Sequence, residues 1–198
     1  MTNTELHIKI RHILDEVELS GNFEFENSPE LYARIEAMLA PSIKEVLLAV
    51  PLFYLNKKDI PGEVEINQDG SGKIELPKDF LKLVAFKMDS WRRTIYSAID
   101  ETSPLFPLQD SLVTRGGTNK PVVAITSDGY LRFWSVPPFQ RNPICEVKEY
   151  IPNTLNVEDI DERLVDLLAW QTAKNIMISY GQDTTLLDNK IKEIIELL

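Results

Sequence analysis

The spacing of apolar residues changes twice along this chain, and that change limits its possible folds more than any other feature. Leu6, Ile10, Ile13, Leu14 and Val17 recur at helical spacing and predict a helix over about residues 3–18, ended by Gly21. Ser28, Pro29 and Glu30 form a second helix start: a capping hydroxyl, a proline at the first helical position and an acid in the first turn. The stripe Leu31, Ile35, Met38, Leu39, Ile43, Val46, Leu47 and Val50 follows, with Pro41 inside it and Pro51 at its end. A proline there removes an amide and crowds the preceding turn, which predicts a kink or two abutting helices.

From Pro61 the period becomes two. Val64 and Ile66 alternate, then Ile74 and Leu76, with Asp69-Gly70 between them as a hairpin turn. Leu81–Met88 and Trp91–Ile99 read as strands. Val122–Thr126 and Tyr130–Val136 read as a hairpin about Asp128-Gly129, and Ile144–Ile151 as a last strand. About six strands are expected in all. Helical spacing returns with Ile160, Leu164, Leu167, Leu168, Ile176 and Tyr180. Asn156 is the expected cap and Glu158, Asp159, Asp161 and Glu162 are the expected first-turn acids. That helix would run about 24 residues, roughly 36 Å, to Gly181. Thr184 or Thr185 then caps a final helix with Leu187, Ile191, Ile194 and Ile195 at helical spacing.

The expected fold class is therefore α+β. Residues 1–60 and 151–198 form a helical bundle, and residues 61–150 are inserted as an all-β module, a barrel or a small sandwich.

Charge narrows the function. The chain has 198 residues, 31 acidic and 21 basic, for a net charge of -10. No basic run is longer than Arg92-Arg93, so the chain lacks the clustered cations that release counterions from nucleic acid. The deficit is uneven: residues 1–60 carry -4, residues 61–150 carry -1 and residues 151–198 carry -5. One cysteine, Cys145, excludes an intrachain disulfide, and its alternating context reads as a small buried hydrophobe. With His7 and His12 as the only histidines, a zinc site of three or four Cys/His ligands cannot be filled. No secretory leader is read at the N-terminus. The longest apolar run, Val46–Leu55, is broken by Pro51 and is shorter than the roughly 20 residues of a membrane span. These features point to a soluble cytoplasmic chain with no membrane partner.

Catalytic patterns are scarce. Gly70-Ser71-Gly72 is too short for a phosphate loop and sits in a hairpin. His7 and His12 lie on the first helix without a serine motif and read as surface residues. Acid pairs such as Glu158-Asp159 belong to a helix start, and Glu24 and Glu26 to a loop. No catalytic residue, metal or cofactor is expected.

Three features suit binding. In Trp91-Arg92-Arg93 the indole packs on the core while the arginines solvate an edge, or all three form a contact patch, since Trp and Arg are enriched at hot spots. Arg115-Gly116-Gly117-Thr118-Asn119-Lys120 is a basic loop, either a mobile contact or an ordinary turn. The last helix, with Leu186, Leu187, Ile191, Ile194, Ile195, Leu197 and Leu198, docks on its own bundle or on a neighbouring subunit.

Four stretches carry a resemblance. They are "MLAPSIKEVLLAVPLFYL" within Ile35–Leu55, "GSGKIELPKDFLKLVAFKMDSW" at Gly70–Trp91, "RGGTNKPVVAITSDGYLRFWSV" at Arg115–Val136, and the C-terminal "IDERLVDLLAWQTAKNIMISYG". In these, and in its order of elements over roughly residues 5–198, the chain resembles tailed-phage head-to-tail connector or adaptor proteins. The likeness is to ring or tail-tubular proteins of podovirus-type and crAss-like phages. The resemblance implies a non-enzymatic virion protein, assembled in the host cytoplasm, with a helical core and an inserted β domain. It implies a homo-oligomeric ring, typically of about twelve copies, between the portal protein and the next tail component. The ring would extend the channel through which DNA passes without specific binding. In that arrangement the helices form the ring and the β module faces outward or meets the tail. An acidic lumen would keep the duplex from sticking to its walls. Two other readings remain open: a small binding module holding a ligand or peptide on its β part, and a hydrolase with a site where the two parts meet.

Overall fold

A computed structural model of the chain describes residues 2–18, 29–140 and 142–198. The side chain of Val17 and residues Gly21, Glu24, Glu26 and Ser28, on which some expectations above fall, lie outside the described part. The elements are helical, then β, then helical, and the fold is α+β. The chain divides into two units: Met1–Asn56 with Asn153–Leu198, and Lys57–Pro152.

In the helical unit, α1 (Asn3–Glu18) buries Leu6, Ile10, Ile13 and Leu14 on one stripe. The second helix, α2 (Pro29–Ala49), buries Leu31, Ile35, Leu39, Ile43, Val46 and Leu47. It runs through Pro41 as one element. Pro41 and Ala37, whose carbonyl loses its amide partner, are both exposed, so the lost bond falls on the solvent side of the helix. Ser42 is fully buried; its hydroxyl donates to the Met38 carbonyl at 2.6 Å and accepts from Asn175 Nδ2 at 2.9 Å. Asn175 lies on α3 (Val165–Ser179), which packs against α1, α2 and α4 (Thr185–Leu197). A helix touched on three sides is apolar nearly all round, and α3 buries Val165, Leu167, Leu168, Ala169, Thr172, Ala173, Ile176 and Met177.

Several helical expectations are corrected. The long helix from Asn156 does not form. Val157–Asp159 and Glu162–Leu164 are single 3-10 turns, and α3 has only 15 residues. Ile160 between the turns is extended, which turns its side chain into the core and breaks the helix. Asn156 makes no side-chain cap; Asp161 instead accepts the Arg163 amide at 2.9 Å. Gly181 ends α3 as expected, at φ 69°, with the Gln182 amide on the Met177 carbonyl and the Gly181 amide on Ile178, a Schellman closure. At α4 the capping acceptor is Asp183, which takes the Thr185 amide at 3.0 Å, rather than either threonine. His7, expected at the surface, is buried. Its Nε2 lies 2.8 Å from Glu36 Oε1 and its ring centroid 4.4 Å from that of Tyr32.

Among the described residues the β unit contains eight strands in two sheets. The first has the order β1 (Lys58–Asp59), β8 (Cys145–Pro152), β4 (Phe80–Met88), all antiparallel. The second has the order β2 (Glu65–Ile66), β3 (Gly72–Glu75), β7 (Tyr130–Phe133), β6 (Val123–Ile125), β5 (Ile99–Asp100), with only β5 and β6 parallel. Both sheets feed one core, with Leu83, Phe86 and Tyr150 from the first and Ile74, Val123, Leu131 and Phe133 from the second, so the module is a small sandwich. Phe86, Trp91 and Phe133 meet at ring distances of 5.4 to 5.9 Å.

The strand expected over Trp91–Ile99 does not form as one element; its last residue, Ile99, opens β5. Only Ile95 bridges Phe86, while the Arg92 amide donates to Thr118 instead of to a ladder. The turn after β4 starts with the Trp91 amide on the Met88 carbonyl. The two-residue strands β1 and β5 were not among the expected ones, which raises the count from about six to eight.

Candidate interaction site

The expected contact residues separate by burial. Trp91 is 3% exposed and belongs to the core, with its indole N–H on the Ser135 carbonyl at 3.0 Å. Arg92 and Arg93 flank it and are exposed. Among the described residues neither guanidinium has an ion pair or hydrogen bond, and neither does the ammonium of exposed Lys120. The Arg92 amide on the Thr118 carbonyl holds the two segments together, so the three cations share one region of the module.

Arg115 is not part of that region. Its guanidinium lies against the Asp69 carbonyl and 3.6 Å from the Asp69 carboxylate, and its side chain is 9% exposed. The Ser71 hydroxyl and amide, with Arg115 adding less, hold the Asp69 carboxyl below the usual range. Arg115 therefore ties its loop to the Asp69-Gly70 hairpin. The rest of the loop is an ordered turn with the Lys120 amide on Gly117.

The last helix docks on its own unit through Leu187 and Ile191, both buried. Ile194, Ile195 and Leu198 are half-buried. The Tyr54 hydroxyl donates to the Leu198 carbonyl at 2.5 Å, and the Arg163 guanidinium sits 4.6 Å from the Tyr54 ring centroid. Arg163 in turn holds Asp161 through two side-chain bonds of 2.9 and 2.7 Å, and these with its amide lower the Asp161 carboxyl to about 2.

The segment between β5 and β6 carries a feature that the periodicity did not signal. Asp100 starts it by accepting the amide and hydroxyl of Thr102. Buried Gln109 then acts as a strut: its Nε2 donates to the Leu105 carbonyl and its Oε1 accepts the Gly116 amide, both at 2.9 Å. The Thr114 hydroxyl closes the loop on the Leu108 carbonyl at 2.7 Å. These bonds fix the loop's backbone, and on it Leu105, Leu108, Leu112 and Val113 stand at 50%, 44%, 68% and 93% exposure. Its signal in the sequence is compositional: there is no basic residue between Arg93 and Arg115, but three acids, Asp100, Glu101 and Asp110, and four exposed aliphatics. Glu101 and Asp110 make no ion pair or hydrogen bond among the described residues.

Two open cavities lie on the described surface. One, of about 430 Å³ on the β unit, is lined by Lys73, Arg132, Asp110, Asn67, Phe106 and Trp134. Lys73 and Arg132 face each other across β3 and β7, a like-charge pairing offset by Glu65 at 3.1 Å from Lys73 and Asp128 at 2.5 Å from Arg132. The other, of about 330 Å³ on the helical unit, is lined by Glu36, Glu158, Leu39, Leu155 and Val157. Carboxylates with altered acidity, such as Asp100, Asp128, Asp161 and Asp183, are all shifted down by neighbouring hydroxyls, amides or cations. They sit at turns and helix starts, outside both cavities. Burial pushes the Cys145 thiol up to about 11, away from nucleophilic use. Among the described residues no cluster of three His, Cys, Asp or Glu side chains is placed to hold a metal ion. No described helix is long and apolar enough to cross a membrane.

No protein-family model matches the chain, and no curated protein matches it.

Proposed function

We propose that the chain is a non-enzymatic structural subunit of a tailed-phage virion. It forms a ring that joins the portal to the next tail component and extends the DNA channel. The observation that carries this reading is the distribution of charge between the two units. The helical unit holds 8 basic and 18 acidic residues, a net of -10, and the β unit holds 13 of each. The whole excess of negative charge belongs to the helices. A surface of that sign repels phosphates and suits a conduit wall through which DNA slides without specific binding. The neutral β unit, with its sandwich core and surface loops, suits contacts with protein. The α+β architecture, with β inserted between helical segments, is the one the connector resemblance leads one to expect.

Electron microscopy tests the reading. Purified protein mixed with its portal, or the particle itself, is expected to show rings of about twelvefold symmetry at the head–tail junction. A protein that never joins a portal ring, in virions or in reconstitution, would sink it. A binding-module reading is favoured by one feature, the cavity beside Phe106 and Trp134; it predicts a monomer with a saturable ligand there.

A further inference from the structure

We infer that copies of this chain contact one another head to tail through their β units. The acidic aliphatic loop 100–114 of one copy docks on the Arg92, Arg93 and Lys120 region of the next. The inference deepens the ring reading and rests on it for closure, but it places the contact on the β unit, not on the helices.

Three observations carry it. The first is exposure. Four aliphatic side chains within nine residues stand in water on a loop whose backbone is held by the buried Gln109 strut. A contiguous exposed apolar group marks an interaction surface, and a pre-formed loop loses little freedom when it docks. The second is complementarity. Among the described residues the side chains of Glu101 and Asp110 on the loop have no partner, and neither do those of Arg92, Arg93 and Lys120 on the same unit. Opposite charges on one unit that do not satisfy each other within the copy are free to do so between copies. The third is balance. The β unit carries 13 basic and 13 acidic residues, so two β units meet without net repulsion. Two different patches that fit each other make a heterologous contact, and such contacts form rings when the rotation closes.

The test uses two double variants of the full chain. Leu112→Asp with Val113→Asp spoils the loop and leaves the cationic region intact. Arg92→Glu with Arg93→Glu does the reverse. All four side chains are exposed, and unchanged circular dichroism and melting confirm folding. Sedimentation is followed up to about 1 mM, the weak end of useful affinity for copies also held by a scaffold. Wild type is expected to form species larger than a monomer, and each variant to associate at least tenfold more weakly. An equal mixture is expected to stop at a dimer, because only one good contact remains. Wild type that stays monomeric, variants that associate like wild type, or a mixture no larger than its parts would each overturn the inference. Portal-bound rings that persist in both variants would overturn it and leave the ring reading standing. Mixed dimers without twelvefold rings in any preparation would uphold the contact and remove the ring.

Discussion

The indole nitrogen of Trp91 donates to the backbone carbonyl of Ser135 at 3.0 Å inside the β unit. The same ring packs edge-on against Phe86 and Phe133. One side chain thus joins the turn after β4 to the end of β7. Trp91→Phe keeps most of the apolar contact and leaves a buried carbonyl without a donor. The expected loss is about 1–3 kcal/mol, read as a lower urea midpoint with an unchanged slope. Trp91→Ala opens a cavity as well and is expected to lose about 3–5 kcal/mol.

Gly70 sits at φ 83°, and a Cβ there would lie 2.0 Å from the Val136 carbonyl oxygen. Gly181 has φ 69° but open space around it. Gly181→Ala is expected to lose about 1 kcal/mol from left-handed strain alone. Gly70→Ala must also displace backbone and is expected to lose several times more, with the hairpin and β7 affected together. Comparing the two melting temperatures checks this; equal shifts would contradict the steric account.

These elements also separate what could be read from the sequence from what could not. The hairpins about Asp69-Gly70 and Asp128-Gly129 were legible because turn chemistry is local. The stripes of α1, α2 and α4 were legible because burial on one face imposes a period. Trp91–Ile99 alternates like a strand, yet the Arg92 amide donates to the Thr118 carbonyl and Ile95 alone bridges Phe86, which no local pattern reveals. Residues 156–162 look like a helix start, but the burial of Val157 and Ile160 selects two separate turns. Strand β1 exists only because Lys58 and Asp59 meet Tyr150 and Glu149, some ninety residues on. Of the expected contact residues, Arg92 and Arg93 are exposed, while the side chains of Trp91, Arg115 and Leu187 are held inside their own units. The loop held by Gln109 was missed because its order comes from side-chain bonds, which carry no periodicity.

Burial raises the Cys145 thiol to about 11 from an ordinary value of 9.0. At pH 8 it holds about a hundredfold less thiolate than an exposed cysteine. Alkylation by iodoacetamide is therefore expected to be slow and to rise about tenfold per pH unit up to the pH of the raised value, as long as the protein stays folded. Labelling as fast as that of a free thiol at pH 8 would contradict the burial.

Arg163 and its amide depress the Asp161 carboxyl to about 2 in the folded chain, against 3.8 ordinarily. A group with a depressed folded value binds its proton more readily when unfolded. Its contribution to stability is complete above pH 4 and disappears as the pH falls toward 2. Asp161→Asn is expected to be less stable than wild type at neutral pH, with the difference shrinking between pH 4 and pH 2. Unfolding midpoints measured across that range read this out; a constant gap would exclude the ion pair as the source.

The pairing of Lys58 with Tyr150 brings the first and last strands of the β unit side by side. This has a consequence for how the protein is made. On the ribosome the β unit emerges whole before α3 has emerged, and its two ends already meet. It can close while α1 and α2 still wait for the central helix against which both are buried. The insertion therefore sets a timetable: the sandwich matures first, and the helical unit is completed last.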